Sequence, residues 1–397
     1  MTNQPLDQFP SATQRSSNRA EVAIVGAGIV GLAHALAAAK KGLKVTVFER
    51  NTQAVGASIR NFGMIWPIGQ PAGTLYDRAK RSKSIWQEVA PKADIHLDQC
   101  GSLHLAYRQD EMDVLAEFIA ITSGNYSATI LTPAQVETKS QAVVMEGLLG
   151  ALWSDQEMTV DPREAIAKLP GFLQQAYGVE FHFGTVVTEV SYPNFVAGGK
   201  QWTCDRLYIC SGSDFETLYP EIYAASNITK TKLQMMRTVA QPGNWKLNPC
   251  LCAGLTLTHY NSFAHCQSLD ALKTRIEEET PQYPLWGIHV LVSQNAQGEV
   301  VLGDSHEYGL NPSPFDKAEI NQYVLDYLKT FARFPSFEIT ETWNGVYAKL
   351  PGETEFIANP EPGVTIVNGL SGSGMTLSFG LAEEVLADSN LLSMRQE

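Results

Sequence analysis

At 397 residues, 44% apolar and 18% charged, the chain is long enough for two intimately joined domains, and it carries no repeat or low-complexity tract that would make it a solenoid or a disordered chain. Its 42 acidic against 29 basic residues give a formal net charge of −13, which would repel a phosphate backbone or an anionic membrane and argues against either as a partner. The six cysteines (Cys100, Cys204, Cys210, Cys250, Cys252, Cys266) form no CxxC pair and no metal-ligand spacing, so no metal site is expected, and reduced thiols in a cytoplasmic enzyme are.

The first nineteen residues, MTNQPLDQFPSATQRSSNR, are polar and lack an apolar h-region, which predicts a disordered lead-in rather than a signal peptide or anchor. EVAIVGAGIVGLAHALAAAKKGLKVTVFER then predicts strand, tight turn, helix and strand. Gly26, Gly28 and Gly31 fit G-x-G-x-x-G, and Glu49 closes the second strand eighteen positions past Gly31. In such a unit the first glycine permits the turn, the second lets the backbone approach a pyrophosphate, and the third lets helix and sheet pack. The helix N-terminus favours phosphate charge. Glu49 would accept hydrogen bonds from ribose hydroxyls and repel a 2′-phosphate, which argues against NADP and leaves FAD and NAD open.

VGASIRNFGMIWPIGQPAG is too rich in glycine and proline for a helix or a plain strand, and reads as a ligand-clasping loop with an exposed Trp66. Helical apolar spacing follows over 74–90. GSLHLAYR, residues 101–108, alternates like a half-buried strand. DPRE, from Asp161, starts a helix expected to reach about Gln175. VEFHFGTVVTEV and RLYICSGSD are strands, the second ending in a glycine turn that again approaches the nucleotide. Between Lys230 and Gly309 short alternating runs with little helical periodicity predict an antiparallel sheet, and residues 315–331 an amphipathic helix. GVTIVNGLSGSGMTLSFGLAEEVLAD returns to strand, glycine turn and helix.

These elements together resemble the FAD-dependent D-amino-acid oxidase, glycine oxidase and sarcosine oxidase family, from about Ala20 to Ser389. The matching residues are VGAGIVGL with Glu49-Arg50, the Cys210-Ser211-Gly212-Ser213 strand end, the W-x-G strand at Trp343, and NGLSGSGMTLSFGLAEE. RNFGMIWPIGQPAG and KLQMMRT look most like a clade of that family proposed to oxidise aminophosphonates. The expected class is therefore α/β (α+β overall): a Rossmann-like FAD-binding domain from residues 20–95, 150–228 and 340–397, with an antiparallel-sheet substrate domain from 96–149 and 229–339. The resemblance implies FAD, its pyrophosphate cradled by Gly26, Gly28 and Gly31 and touched by Ala57 and Ser58. It puts Glu49 on the adenosine ribose with Arg50 nearby, Val187 on the adenine, and Ser211 and Gly212 at the strand-end turn. The turn through Gly372, Gly374, Met375 and Thr376 would place N–H groups at the flavin's pyrimidine edge, where negative charge develops on reduction.

In amino-acid oxidases of this family the strand commonly reads W-x-G-x-R-P, and its arginine grips the substrate carboxylate. Tyr347 stands in that place here. One uncharged donor replaces a charged planar fork, which argues against an ordinary α-amino acid. The tetrahedral head of an aminophosphonate is better met by dispersed donors, and the candidates are Tyr347, Lys349, His104, His306 and Arg237, the first two on one face of a strand. The expected reaction is oxidation of the C–N bond of a small anionic amine by hydride transfer to flavin N5, followed by imine hydrolysis, with no catalytic base assigned. Two alternatives stay open. One is an oxidase or dehydrogenase of D-amino or N-methyl amino acids, with Lys349 replacing the arginine; the other is a non-catalytic FAD-carrying subunit of a complex.

Overall fold

The computed structural model describes residues 18–122 and 124–393, with side chains to 387. The expected lead-in lies outside it except for its last two residues, and Arg19 already opens a strand. The opening unit is β1 (Arg19–Val25), α1 (Ile29–Lys40) and β2 (Val45–Phe48). Next come α2 (Thr74–Lys92), β3 (Ser102–Ala106), α3 (Pro162–Tyr177) and β4 (Lys200–Ile209). The second half supplies β5 (Thr229–Ala240), β6 (Cys250–Ala253), β7 (Leu291–Gln294), β8 (Glu299–Gly303), β9 (Ile339–Lys349), β10 (Val364–Asn368) and α4 (Gly374–Ser393).

In the first sheet β2, β1, β4 and β10 run parallel, with Val25 opposite both Phe48 and Ile209, and Ile209 opposite Ile366. All four strands end at one edge, so the glycine turn after β1, Glu49, the turn after β4 and Gly369 meet there. In an open parallel sheet this carboxyl edge is where ligands bind. The alanines of α1 keep it thin, and it packs against α3 and α4. A Cβ on Gly31 would lie 1.9 Å from the Gly26 carbonyl oxygen, so helix and turn approach this closely only because Gly31 has none. Asp161 caps α3 by accepting from the Arg163 N–H at 2.8 Å, and Gly178 at φ +70 ends it.

Helix α4 is tied to α2 by three kinds of contact. Fully buried Trp86 donates its indole N–H to the Met375 carbonyl at 2.9 Å, Ser82 Oγ accepts from the Gly380 N–H at 2.8 Å, and Arg78 forks onto Glu384 while reaching Glu355. Truncating a buried tryptophan to alanine costs about 3–5 kcal/mol, so the position of α4, and with it the turn before it, is firmly set.

The second sheet runs, by pairing, from Ala128–Leu131 through Gly150–Ser154, β3, β6, β7 and β8 to β5, with β9 on the other edge of β5. It is antiparallel except where β6 runs parallel to β3. Gly150–Ser154 and β9, grouped from sequence with the nucleotide segments, pair in this sheet instead. All five residues of β3 are buried, where alternation predicted one wet face. Leu269–Glu279 and Gln282–Leu285 are helices inside the stretch expected to be all strand. The first buries Leu269, Leu272 and Ile276 on a short apolar stripe that the surrounding strand patterns obscured. Among the described residues no helix is long and apolar enough to cross a membrane.

Candidate active site

A cavity of about 910 Å³ extends from the carboxyl edge of the first sheet to the flank of the second. Its first end is mostly main chain. Gly26 sits at φ +100, and a Cβ there would lie 2.4 Å from the Cys210 carbonyl oxygen; one on Gly28 would lie 3.0 Å from Ser58 Oγ. Ser58 Oγ accepts from the Ile29 N–H at 2.9 Å, satisfying one of the free donors that begin α1. The buried Glu49 carboxylate accepts from the Ala27 and Asn51 N–H groups, both at 3.0 Å, and keeps further lone pairs for a ligand. Arg50 pairs with Asp214 on the same wall. Ala57, Val187, Ser211, Gly212, Gly372, Gly374, Met375 and Thr376 also line the cavity. Gly31 does not: it seats α1 on the turn.

Residues 21–388 match the DAO family, described as FAD dependent oxidoreductase. The chain belongs to that family. Its dependence on FAD decides between the two dinucleotides that the glycine spacing left open. The chain is 31% identical over 143 residues to glycine oxidase from Geobacillus kaustophilus (strain HTA426), covering 34% of this chain and 37% of that protein. Matches to the curated relatives span from 27% to 51% of their length. The fold superposes on the crystal structure of glycine oxidase from Geobacillus kaustophilus with a TM-score of 0.75 at 18% identity, covering 94% of both chains. It likewise superposes on dithionite-reduced L-α-glycerophosphate oxidase from Mycoplasma pneumoniae with FAD bound, with a TM-score of 0.71 at 17% identity over 94% of this chain and 95% of that one.

In this DAO-family chain the loop after Ala57 is fastened rather than free. Asn61 donates to the Ala57 and Ser58 carbonyls and accepts from the Gly63 N–H, which folds the loop on itself. The Trp66 N–H donates to Thr376 Oγ1 at 3.0 Å, the Ile68 N–H to Glu157 at 3.0 Å, and the Gln70 amide to Ser373 Oγ at 3.2 Å. Trp66, expected to be exposed, is only 3% accessible and forms cavity wall with Phe62 and Met64. Opposite it, Ser371 at φ +52 turns the chain into α4, whose first residues face the cavity. Lys349 at the end of β9 bridges to Leu370 in that turn, and a Cβ on Gly372 would lie 3.7 Å from the Tyr347 hydroxyl. The strand singled out from sequence therefore reaches the turn.

At the far end the structure brings together three of the five expected substrate residues: Tyr347, Lys349 and His306. His104 is a correction. It is buried against the rings of Trp66 and Phe263, both its nitrogens lack partners, and burial pushes its pKa down to about 3, so it stays neutral behind the wall. Arg237 is another. It spans β5 to its two neighbours, pairing with Glu299 at 2.8 Å and Glu341 at 2.9 Å, and does not line the cavity.

Sequence reasoning missed His259, His289, Asp304, Tyr260 and Tyr308, which line this end. Only a weak signal pointed there: of the chain's eight histidines, His259, His265, His289 and His306 fall within one stretch. Burial drives the Tyr347 phenol well above its usual pKa, with the Asp304 charge adding to it, so it remains a protonated donor. Burial lowers the pKa of the Lys349 ammonium, which stands 4.8 Å over the Tyr308 ring.

Proposed function

We propose that this protein is an FAD-dependent amine oxidoreductase whose substrate carries a tetrahedral anionic group, an aminophosphonate, at the cavity end lined by Tyr347 and Lys349. In this reading Gly26, Gly28 and the start of α1 take the pyrophosphate, Glu49 the adenosine ribose, and Gly372 to Thr376 the flavin's pyrimidine edge. Bound FAD supplies the acceptor for the hydride from the carbon next to nitrogen. The chain's own share is orientation and dryness. Tyr347 donates one hydrogen bond to the anion and Lys349 offsets its charge, while Phe62, Met64 and Trp66 keep water from the reacting carbon.

The observation that carries the reading is Tyr347, with its hydroxyl beside Gly372, at the place where amino-acid oxidases of the family commonly hold an arginine fork. A second reading, oxidation of D-amino or N-methyl amino acids, is favoured by the two cations Lys349 and Arg60 on the wall, either of which can meet a carboxylate. The test is anaerobic mixing of the purified yellow protein with aminoalkylphosphonates, their N-methyl forms and amino acids. Bleaching by the phosphonates alone is expected. Bleaching by carboxylates alone replaces the proposal with the second reading, and bleaching by no amine makes the chain an FAD carrier.

A further inference from the structure

The part of the wall that no motif announced is a stack of three imidazoles. His259 and His289 lie with ring centroids 3.7 Å apart and planes 22° apart; His306 lies 4.8 Å from the first and 5.3 Å from the second. His306 Nδ1 is 2.9 Å from the Gly287 carbonyl, which can only accept, so Nδ1 carries the hydrogen and Nε2 is left as a lone pair. His289 Nε2 lies 3.1 Å from Asp304 Oδ1, and its buried Nδ1 has no partner. Asp304, 5% accessible, places Oδ2 3.9 Å from His306 Nε2. The other titratable groups around the stack are Tyr347 and Lys349 on β9, with Tyr260 and Tyr308.

Three neutral imidazoles in a cavity have two chemical uses. A metal would take their lone pairs, and their nitrogens do lie within 4.8 Å of one another. Lone pairs lie in the ring plane, however: His289 lies within 22° of parallel to His259 and within 16° of parallel to His306, which aims their lone pairs side by side, and only the His259–His306 pair is tilted further, by 36°, whereas a tetrahedral zinc site needs nitrogens converging at about 2.0–2.1 Å from the ion. An oxyanion needs the opposite, N–H groups. With Nδ1 committed to Gly287, His306 can face an anion as a donor only after Nε2 is protonated. Burial keeps the three rings unprotonated: it pushes the pKa of His306 down to about 4 against the opposing Gly287 hydrogen bond, and with the neighbouring charges it holds those of His259 and His289 well below the usual value. A dianion would reverse that balance. Burial also holds the Asp304 carboxyl well above its usual pKa.

We propose that His259, His289 and His306 form a proton-coupled receptor for the doubly charged tetrahedral head of the substrate: dianion and proton enter together, and the proton, taken from solvent, turns a ring lone pair into an N–H donor. This rests on the anionic-substrate reading above. It adds that the site selects charge two over charge one, because a monoanion gains less from the added proton.

The test uses the FAD-loaded full chain with sulfate, a tetrahedral dianion that does not itself titrate near neutrality, and acetate as the monoanion. Calorimetry in buffers of different ionisation enthalpy is expected to show about one proton taken up per sulfate, and the Kd for sulfate to weaken about tenfold per pH unit between pH 6 and 7.5, while that for acetate changes less. His306→Gln should lose the proton uptake and bind sulfate at least tenfold more weakly with its FAD retained; His259→Asn gives an independent variant should the first misfold. A pH-independent sulfate Kd, no sulfate binding, or a stoichiometric transition metal in the purified protein overturns the proposal. The two readings fail separately. Bleaching by aminophosphonates together with pH-independent sulfate binding keeps the substrate and removes the receptor, whereas proton-linked sulfate binding without such bleaching does the reverse.

Discussion

The two ends of the cavity are built by opposite means. At the nucleotide end a contiguous strand, turn and helix, joined by the turns after β2, β4 and β10, presents mostly main chain to the cavity, and its requirements at Gly26 and Gly28 are spaces that side chains must not fill. At the far end, where the substrate is proposed to sit, the wall is made of bulky, titratable side chains from separate segments: His289, Asp304 and His306 are buried, and His259, Tyr347 and Lys349 are half-buried. A cofactor shared across a family can be held by backbone geometry. Discrimination among small amines needs donors and charges that can be exchanged one at a time, and these are gathered by tertiary structure.

The largest break in this contrast should come from Gly26→Ala, whose Cβ would meet the Cys210 carbonyl oxygen at 2.4 Å on a residue at φ +100. FAD affinity, followed by flavin fluorescence, should fall at least ~100-fold, about 3 kcal/mol; unchanged affinity would mean that the first end is no stricter than the second. Next is His104→Leu. The folded pKa of His104 is depressed to about 3, so the unfolded chain binds a proton that the folded chain refuses, and stability present above pH 6.5 is lost as pH falls toward 3. The variant should gain on the order of 2 kcal/mol at pH 5 relative to its offset at pH 7.5, measured by urea unfolding, with amine binding unaffected. A pH-independent offset would mean that His104 titrates alike in the folded and unfolded chain and is not sealed behind the wall.

Tyr347→Phe should then raise the Kd of an anionic amine about tenfold, ~1.4 kcal/mol, without changing FAD content, as read by anaerobic titration. Equal weakening of uncharged amines would assign Tyr347 to packing instead. The smallest effect belongs to Arg237→Ala. Flavin reduction rates should stay within about twofold of wild type while Tm drops by about 2–4 °C, because Glu299 and Glu341 lose their shared partner. A large kinetic loss would return Arg237 to the substrate end.

What was legible in the sequence follows the same division. The opening unit, the loop with its buried turns, the cap at Asp161 and the glycine turn before α4 are local demands written in neighbouring residues. Period-two alternation put Tyr347 and Lys349 on one face of β9; both line the cavity, as do their neighbours Val346 and Ala348. It could not tell which sheet a strand joins or what covers its second face, so β9 was grouped with the wrong sheet and β3 was expected to be half wet. Arg237 was misplaced because its partners sit on strands to either side, and nothing in its own segment names them. The histidine cluster has no motif spacing; it exists only once the segments after β6, before β7 and after β8 are folded together.

The Lys349–Leu370 bridge fixes one more property. It clamps the strand carrying Tyr347 and Lys349 to the turn that begins α4, so under the proposed function the span between an anion held there and the reacting carbon is set by rigid backbone and not by a mobile arm. The site is therefore a gauge: a homologous series of amines lengthened by single methylenes should show one preferred length, with turnover falling on either side of it.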